Sequence, residues 1–127
     1  MNRSPTIGVV MMVLGGYYFG GILVGIQQAA RQRGYQVLVF QGTPRDLVAT
    51  PFASDLVQGW IVVHYSDDLP RLAQHGIPIV TVATRVPGLN CPAVLAGNFG
   101  GTRDAVRHLI AHGHERIAFV GWPCISD

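Results

Sequence analysis

The sequence predicts an α/β domain built on a parallel β-sheet, and three observations carry that prediction. Apolar runs rich in β-branched residues recur along the chain without a clean two-residue period, as in strands covered on both faces. Between them lie segments of helical spacing that stop at a glycine. The two kinds of segment alternate along the chain, which is the pattern of a layered α/β fold rather than of a bundle or a sandwich.

The first run, Thr6 to Leu14, is expected to be an interior strand. A loop of glycines and aromatics follows (Gly15, Gly16, Tyr17, Tyr18, Phe19, Gly20, Gly21). From Tyr18 to Arg33 the apolar Ile22, Ile26, Ala29 and Ala30 fall on one side of a helix, with Gln28, Arg31 and Gln32 on the other. Gly34 is its stop signal. Tyr35 to Phe40 reads as a second buried strand, which completes a right-handed crossover unit. Thr43 is placed to cap a helix, with Pro44 at its first position and Asp46 in its first turn. Pro51 limits that helix, so residues 44 to 57 are expected to be short or broken.

Gly59 to Val63 is a third strand, which His64, Tyr65 and Ser66 leave at its C-terminal end. Ser66 or Asp67 then caps a helix from Leu69 to Gln74, stopped by Gly76. Ile77 to Ala83 is a fourth strand, with Pro78 near its start where a lost N–H matters least. Residues 84 to 92 form a loop, and Ala93 to Ala96 a short extended piece. Gly100 to His112 carries Ala105, Val106, Leu109 and Ile110 at helical spacing and stops at Gly113. Arg116 to Val120 is expected to be the fifth strand.

Composition narrows the function classes. The 127 residues suffice for one domain. The chain is 49% hydrophobic and only 13% charged, so either its core is large or some apolar surface belongs against a partner. A net charge of +2, with no basic run, leaves no footprint for nucleic acid. No charged residue occurs between Arg3 and Arg31, long enough for a membrane span or a signal peptide. Against that alternative stand six glycines in the segment, Gln27 and Gln28 before its charged end, and no Ala-x-Ala cleavage site. Cys91 and Cys124 fall in no metal or redox spacing and are expected to be reduced.

Little in the sequence suggests catalysis. The glycine loop follows a strand and opens a helix, but it has neither the dinucleotide spacing nor the Gly-Lys-Ser/Thr of a phosphate loop. His108 and His112 lie four apart on one helix, with His114 close by, but no acid ligand accompanies them, and a solvated or capping role is the simpler account. Met12 and Val13 stand where a receiver domain needs acids, and no Gly-x-Ser-x-Gly elbow exists. No catalytic residue, metal ligand or cofactor is therefore assigned. Ligands of parallel sheets bind beyond the carboxyl ends of the strands. Those ends carry Tyr17, Tyr18 and Phe19, then His64, Tyr65 and Ser66, then Thr84 and Arg85.

Three stretches, Gly25 to Tyr35, Gly59 to Val62 and Gly76 to Val80, together with the block from Asn98 to Val120, resemble the effector-binding domain of the lac repressor/galactose repressor family and its periplasmic sugar-binding relatives. The most specific part is Ala105 to Ile110 followed by Gly113 to Phe119. The resemblance implies a three-layer, doubly wound parallel sheet of strand order 2-1-3-4-5, with residues 1–127 forming the N-terminal lobe of a two-lobe domain. It implies a cytoplasmic sensor of a sugar or related metabolite, acting by cleft closure and through a homodimer, with Asn98 added to the candidate ligand residues. DNA would be reached only through a helix-turn-helix outside this chain, and no membrane contact is expected. The parent is expected to be a transcriptional regulator or, if Met1 is the native start with only five residues before Thr6, a multidomain signalling protein, which the stretch from Asn98 to Arg103 also resembles. A dimerisation module without a ligand of its own is the alternative. The chain departs from the family pattern in three places. Gly16 and Tyr17 stand where it has Asn-Pro after the first strand, Gly97 replaces an acid, and Arg85 is offset by one residue. These changes shift recognition from hydrogen bonding of sugar hydroxyls towards stacking on a ring.

Overall fold

Five parallel strands make the sheet: β1 Thr6–Met11, β2 Gln36–Gln41, β3 Trp60–Val63, β4 Ile79–Val82 and β5 Ala93–Val94. Their order is β2-β1-β3-β4-β5, as expected. The computed structural model describes residues 4–63 and 66–121, with residues 51 and 52 described by backbone alone. Helices α1 Tyr17–Gln32, α2 Pro44–Val48, α3 Leu69–Ala73 and α4 Asn98–Ala111, with a 3-10 helix Pro51–Leu56, link or follow the strands. The contacts divide the chain between Leu95 and Ala96 into two compact units, the first holding the whole sheet and the second α4.

Within the first unit, alternation along each strand builds two cores. Val9 and Met11 of β1 and Val63 of β3 face one way, where Phe19, Ile22, Leu23 and Ile26 of α1 pack on them together with Val37, Val39 and Ile61. Val10 and Val62 face the other way, joined by Trp60, Ile79, Leu47 of α2, Ala53 of the 3-10 helix, and Leu69 and Leu72 of α3. A central strand buried on both sides explains why the run at β1 shows no period of two. Each fully buried Leu of this second core contributes about 1.5–3 kcal/mol. Gly8 and Trp60 pair across β1 and β3, and a methyl group at Gly8 would overlap the indole ring. The glycine is thus the space the tryptophan occupies, and Trp60 Nε1 is a buried side-chain donor without a partner among the described residues.

Helix ends follow local chemistry. Thr43 caps α2 in a reciprocal box: its hydroxyl accepts from Asp46 N–H at 3.3 Å while its own N–H donates to the Asp46 carboxylate at 2.8 Å. The box holds the Asp46 carboxyl below the usual carboxylate range, chiefly through that backbone hydrogen bond. After α1, Gly34 sits at φ 74°, its N–H donating to the Arg31 carbonyl and that of Tyr35 to Ala30. After α4, Gly113 at φ 81° repeats the arrangement, with His114 donating to Leu109. Both are Schellman ends, where the left-handed residue must be free of Cβ strain.

Two expectations need correction. The first strand ends at Met11, so Met12, Val13 and Leu14 are exposed loop residues, because the ladder partners Gln41 and Val63 are the last on either side. Arg116 to Val120 is not a strand, and the fifth place in the sheet belongs to Ala93–Val94, which pairs in parallel with β4. Strand propensity yields a strand only where a ladder partner exists, and the second unit has none among its described residues.

Candidate functional site

The C-terminal edge of the sheet gathers three exits from neighbouring parallel strands. Met11 pairs with Val63, and Val62 with Thr81, so the loops leaving β1, β3 and β4 begin along one edge, with β1 and β4 about 10 Å apart.

At the β1 exit, Gly42 N–H donates to the Met11 carbonyl at 3.1 Å and Gln41 Nε2 to the Met12 carbonyl at 3.4 Å. These bonds from the end of β2 hold the chain as it leaves the ladder. Gly16 then turns at φ 81° and is the N-cap of α1, with no side chain to offer its amides. The first turn of α1 therefore keeps donors free of a side-chain cap at the edge of the sheet, where the helix is electropositive. Tyr17 is fully exposed and Tyr18 more than half so. Their phenol rings offer flat apolar faces with a polar tip. Phe19 is committed differently: it packs into the α1 core and meets the Tyr18 ring edge-on at 5.1 Å, which steadies Tyr18.

The β3 exit carries His64 and Tyr65, which lie outside the described residues, and Ser66. The Ser66 hydroxyl accepts from Asp68 N–H at 3.2 Å and its carbonyl from Leu69 N–H at 3.1 Å. Ser66 thus organises the start of α3, although the N-cap itself is Asp68, with no side-chain cap bond.

The β4 exit is the most constrained. Thr81 is fully buried, and its hydroxyl donates to the Thr84 carbonyl at 2.8 Å. Between them Ala83 takes φ 64°, the left-handed region that costs a non-glycine residue about 1–2 kcal/mol, while its N–H donates to the Val94 carbonyl at 2.9 Å. Val86 is buried beside the Trp60 core. Exposed Arg85 is therefore held between two anchored neighbours. Asn98 opens α4 in the second unit, where its N–H donates to the Ala96 carbonyl at 2.8 Å and Gly97 provides no side-chain cap.

Among the described residues the edge thus combines aromatic faces, uncapped helix amides and a guanidinium, a set suited to holding a small polar ring. No group of three or more His, Cys, Asp or Glu suited to a metal occurs among the described residues. Sequence reasoning missed Met12 to Leu14 and the Thr81–Ala83 device. The signal for the first was length, since a nine-residue run cannot pair throughout with neighbours of six and four residues. The kink left no signal, because alanine is not a turn residue.

No described helix is long and apolar enough to cross a membrane. No protein-family profile matches the chain. It is similar to the HTH-type transcriptional regulator PtxS of Pseudomonas putida, 33% identical over 132 residues, a match covering 96% of this chain and 38% of that protein. Its structure resembles that of a LacI family transcriptional regulator from Mycobacterium smegmatis, with TM-score 0.72 and 29% identity over 88% of this chain and 42% of the other. A LacI family regulator from Lactobacillus casei with bound glucose shares the fold at TM-score 0.70 and 23% identity, covering 89% of this chain and 44% of that one. The chain spans less than half the length of each. Its sheet order, its crossover helices and its likeness in sequence to these regulators agree, and the chain is similar in sequence and in fold to part of the regulators of the lac repressor/galactose repressor family.

Proposed function

We propose that residues 1–127 act as one sensing lobe of a cytoplasmic regulator, binding a small ring-bearing metabolite such as a sugar at the C-terminal edge of the sheet. The observation that carries this is that Tyr17 and Tyr18 follow β1 and Arg85 follows β4 at the same edge of the sheet, on either side of the β3 exit. Glucose bound to the Lactobacillus casei neighbour supports a sugar-like ligand class. Closure of a second lobe over that edge would favour one of two pre-existing arrangements, and a homodimer would pass the shift to a DNA-binding or signalling domain. His64, Tyr65, Ser66 and Thr84 complete the proposed ligand contacts of this edge, and Asn98 is a separate candidate in the second unit.

The test is a titration of the chain with D-glucose and a panel of monosaccharides and nucleosides, followed by NMR. Weak binding is expected, because one lobe supplies only part of the contacts. Shifts should concentrate at residues 12–18 and 83–86 and vanish in Tyr18→Ala, with the mass in solution unchanged. Shifts scattered over the molecule, or untouched by Tyr18→Ala, would reject the site. The hydrophobic fraction of 49% against 13% charged residues favours a second reading, a pairing module without a ligand. A concentration-independent dimer by light scattering, combined with no shift from any probe, would select that reading.

A further inference from the structure

We propose that His108 and His112 form a two-histidine chelate for a borderline divalent transition metal (Zn²⁺, Ni²⁺ or Cu²⁺) on the last turns of α4. Residues four apart on a helix share one face, and here the two imidazole rings have come together, with centroids 4.1 Å apart and planes inclined by 37°. The second observation concerns the nitrogen atoms. His112 Nδ1 lies 2.8 Å from the His108 carbonyl oxygen. A carbonyl oxygen can only accept, so Nδ1 carries the hydrogen in the neutral ring and the lone pair resides on Nε2. An imidazole that donates one N–H to a backbone carbonyl and keeps the other nitrogen free is in the state in which protein imidazoles ligate metals.

Nearby charges leave the pair available. Asp104, the acid on α4, is engaged by Arg103 at 3.3 Å and Arg107 at 3.9 Å, so neither ring is shown with a carboxylate partner. Both rings lie on the exposed surface of the second unit. Two imidazole ligands select nickel, copper and zinc over magnesium and calcium, which prefer oxygen ligands. Water fills the remaining positions, and His114, past the left-handed turn at Gly113, is not required. A bound ion bridges positions 108 and 112 and so holds the last turns of α4 against fraying.

The experiment is a calorimetric titration of the chain with NiCl₂, ZnCl₂ and MgCl₂ separately, with far-UV circular dichroism followed in parallel. Expected are one saturable site for Ni²⁺, weaker binding of Zn²⁺, none of Mg²⁺, and a gain in helical signal at saturation. His108→Gln and His112→Gln should each weaken Ni²⁺ binding at least as much as the ~10–100-fold cost of losing an outer-contact partner. His114→Gln should leave the affinity within about twofold, since no ligand is removed. Glutamine preserves helix propensity, so an unchanged apo spectrum certifies the fold. Wild-type affinity in the doubly substituted chain, an equal loss in His114→Gln, or the absence of saturable Ni²⁺ binding would each overturn the proposal.

Discussion

The two faces of the sheet are built from the same strands, and they are closed to different degrees. On the Trp60 side, three short helical elements bring Leu47, Ala53, Leu69 and Leu72 onto Val10 and Val62, and most of the hydrophobic side chains there are buried, with others such as Leu38 and Phe40 partly so. On the other side α1 supplies the cover within the first unit, and Val9, Met11 and Val63 are the buried members of that core among the described residues. Beside α1 runs a groove of about 640 Å³ lined by Ile22, Ile26, Ile61, Val80 and Val82 among others. Three short helices seal better than one long one because each can seat its residues over a different pair of strands. Stability should therefore be concentrated on one face, while the single long helix α1 serves both as cover and, through its first turn, as part of the candidate site.

The largest test of that contrast is truncation on each side. Trp60→Ala should cost about 3–5 kcal/mol in urea unfolding. Ile26→Ala, facing the groove, should cost clearly less than the 2–5 kcal/mol of a sealed aliphatic site such as Leu72→Ala. Equal losses at Ile26 and Leu72 would show that both faces are closed in solution. Next in size is Gly8→Ala, which should destabilise by about 1–3 kcal/mol through overpacking. Combined with Trp60→Leu it should cost less than the sum of the two, and simple additivity would disprove the pairing of glycine and indole.

Smaller effects sharpen the picture of the loops. Thr43→Ala removes a helix cap on the sealed face and should cost about 1 kcal/mol. The pH dependence of the same box has a definite sign. Asp46 has its pKa lowered in the folded chain by the Thr43 amide and hydroxyl. Its stabilising contribution is therefore full above the unfolded carboxylate value and is lost as pH falls through the folded one. Asp46→Asn should flatten that part of the acid limb of the stability profile. An unchanged acid limb would mean that the box is not formed. The smallest effect is a gain: Ala83→Gly relieves the left-handed strain and should raise stability by up to about 1 kcal/mol. A loss there would show that the kink is not left-handed in solution.

Much of this architecture was legible because its signals are local. The Thr43 and Asp46 spacing, the stops at Gly34 and Gly113 and the interruption at Pro51 each act within one turn of chain, and each fell where expected. The candidate edge was legible in outline for the same reason, since strand ends and glycine loops are local features. Phe19 shows the limit. Its neighbours Tyr17 and Tyr18 are also aromatic, but the phase of α1 against β1 turns the Phe19 ring towards the core and leaves the two phenols exposed.

By itself the sequence determined most of the alternation of strands and helices, the helix stops at Gly34 and Gly113 and the resemblance to the lac repressor/galactose repressor family, because these depend on periodicity, capping and short motifs. Tertiary structure alone decided that Ala93–Val94 rather than Arg116 to Val120 takes the fifth place in the sheet. It also decided that the first strand stops at Met11 and that Ala83 takes a left-handed turn tethered by Thr81. Each of these outcomes depends on the presence of a ladder partner or a buried hydrogen-bond acceptor distant from the residue concerned, and no local pattern encodes where such a partner will be.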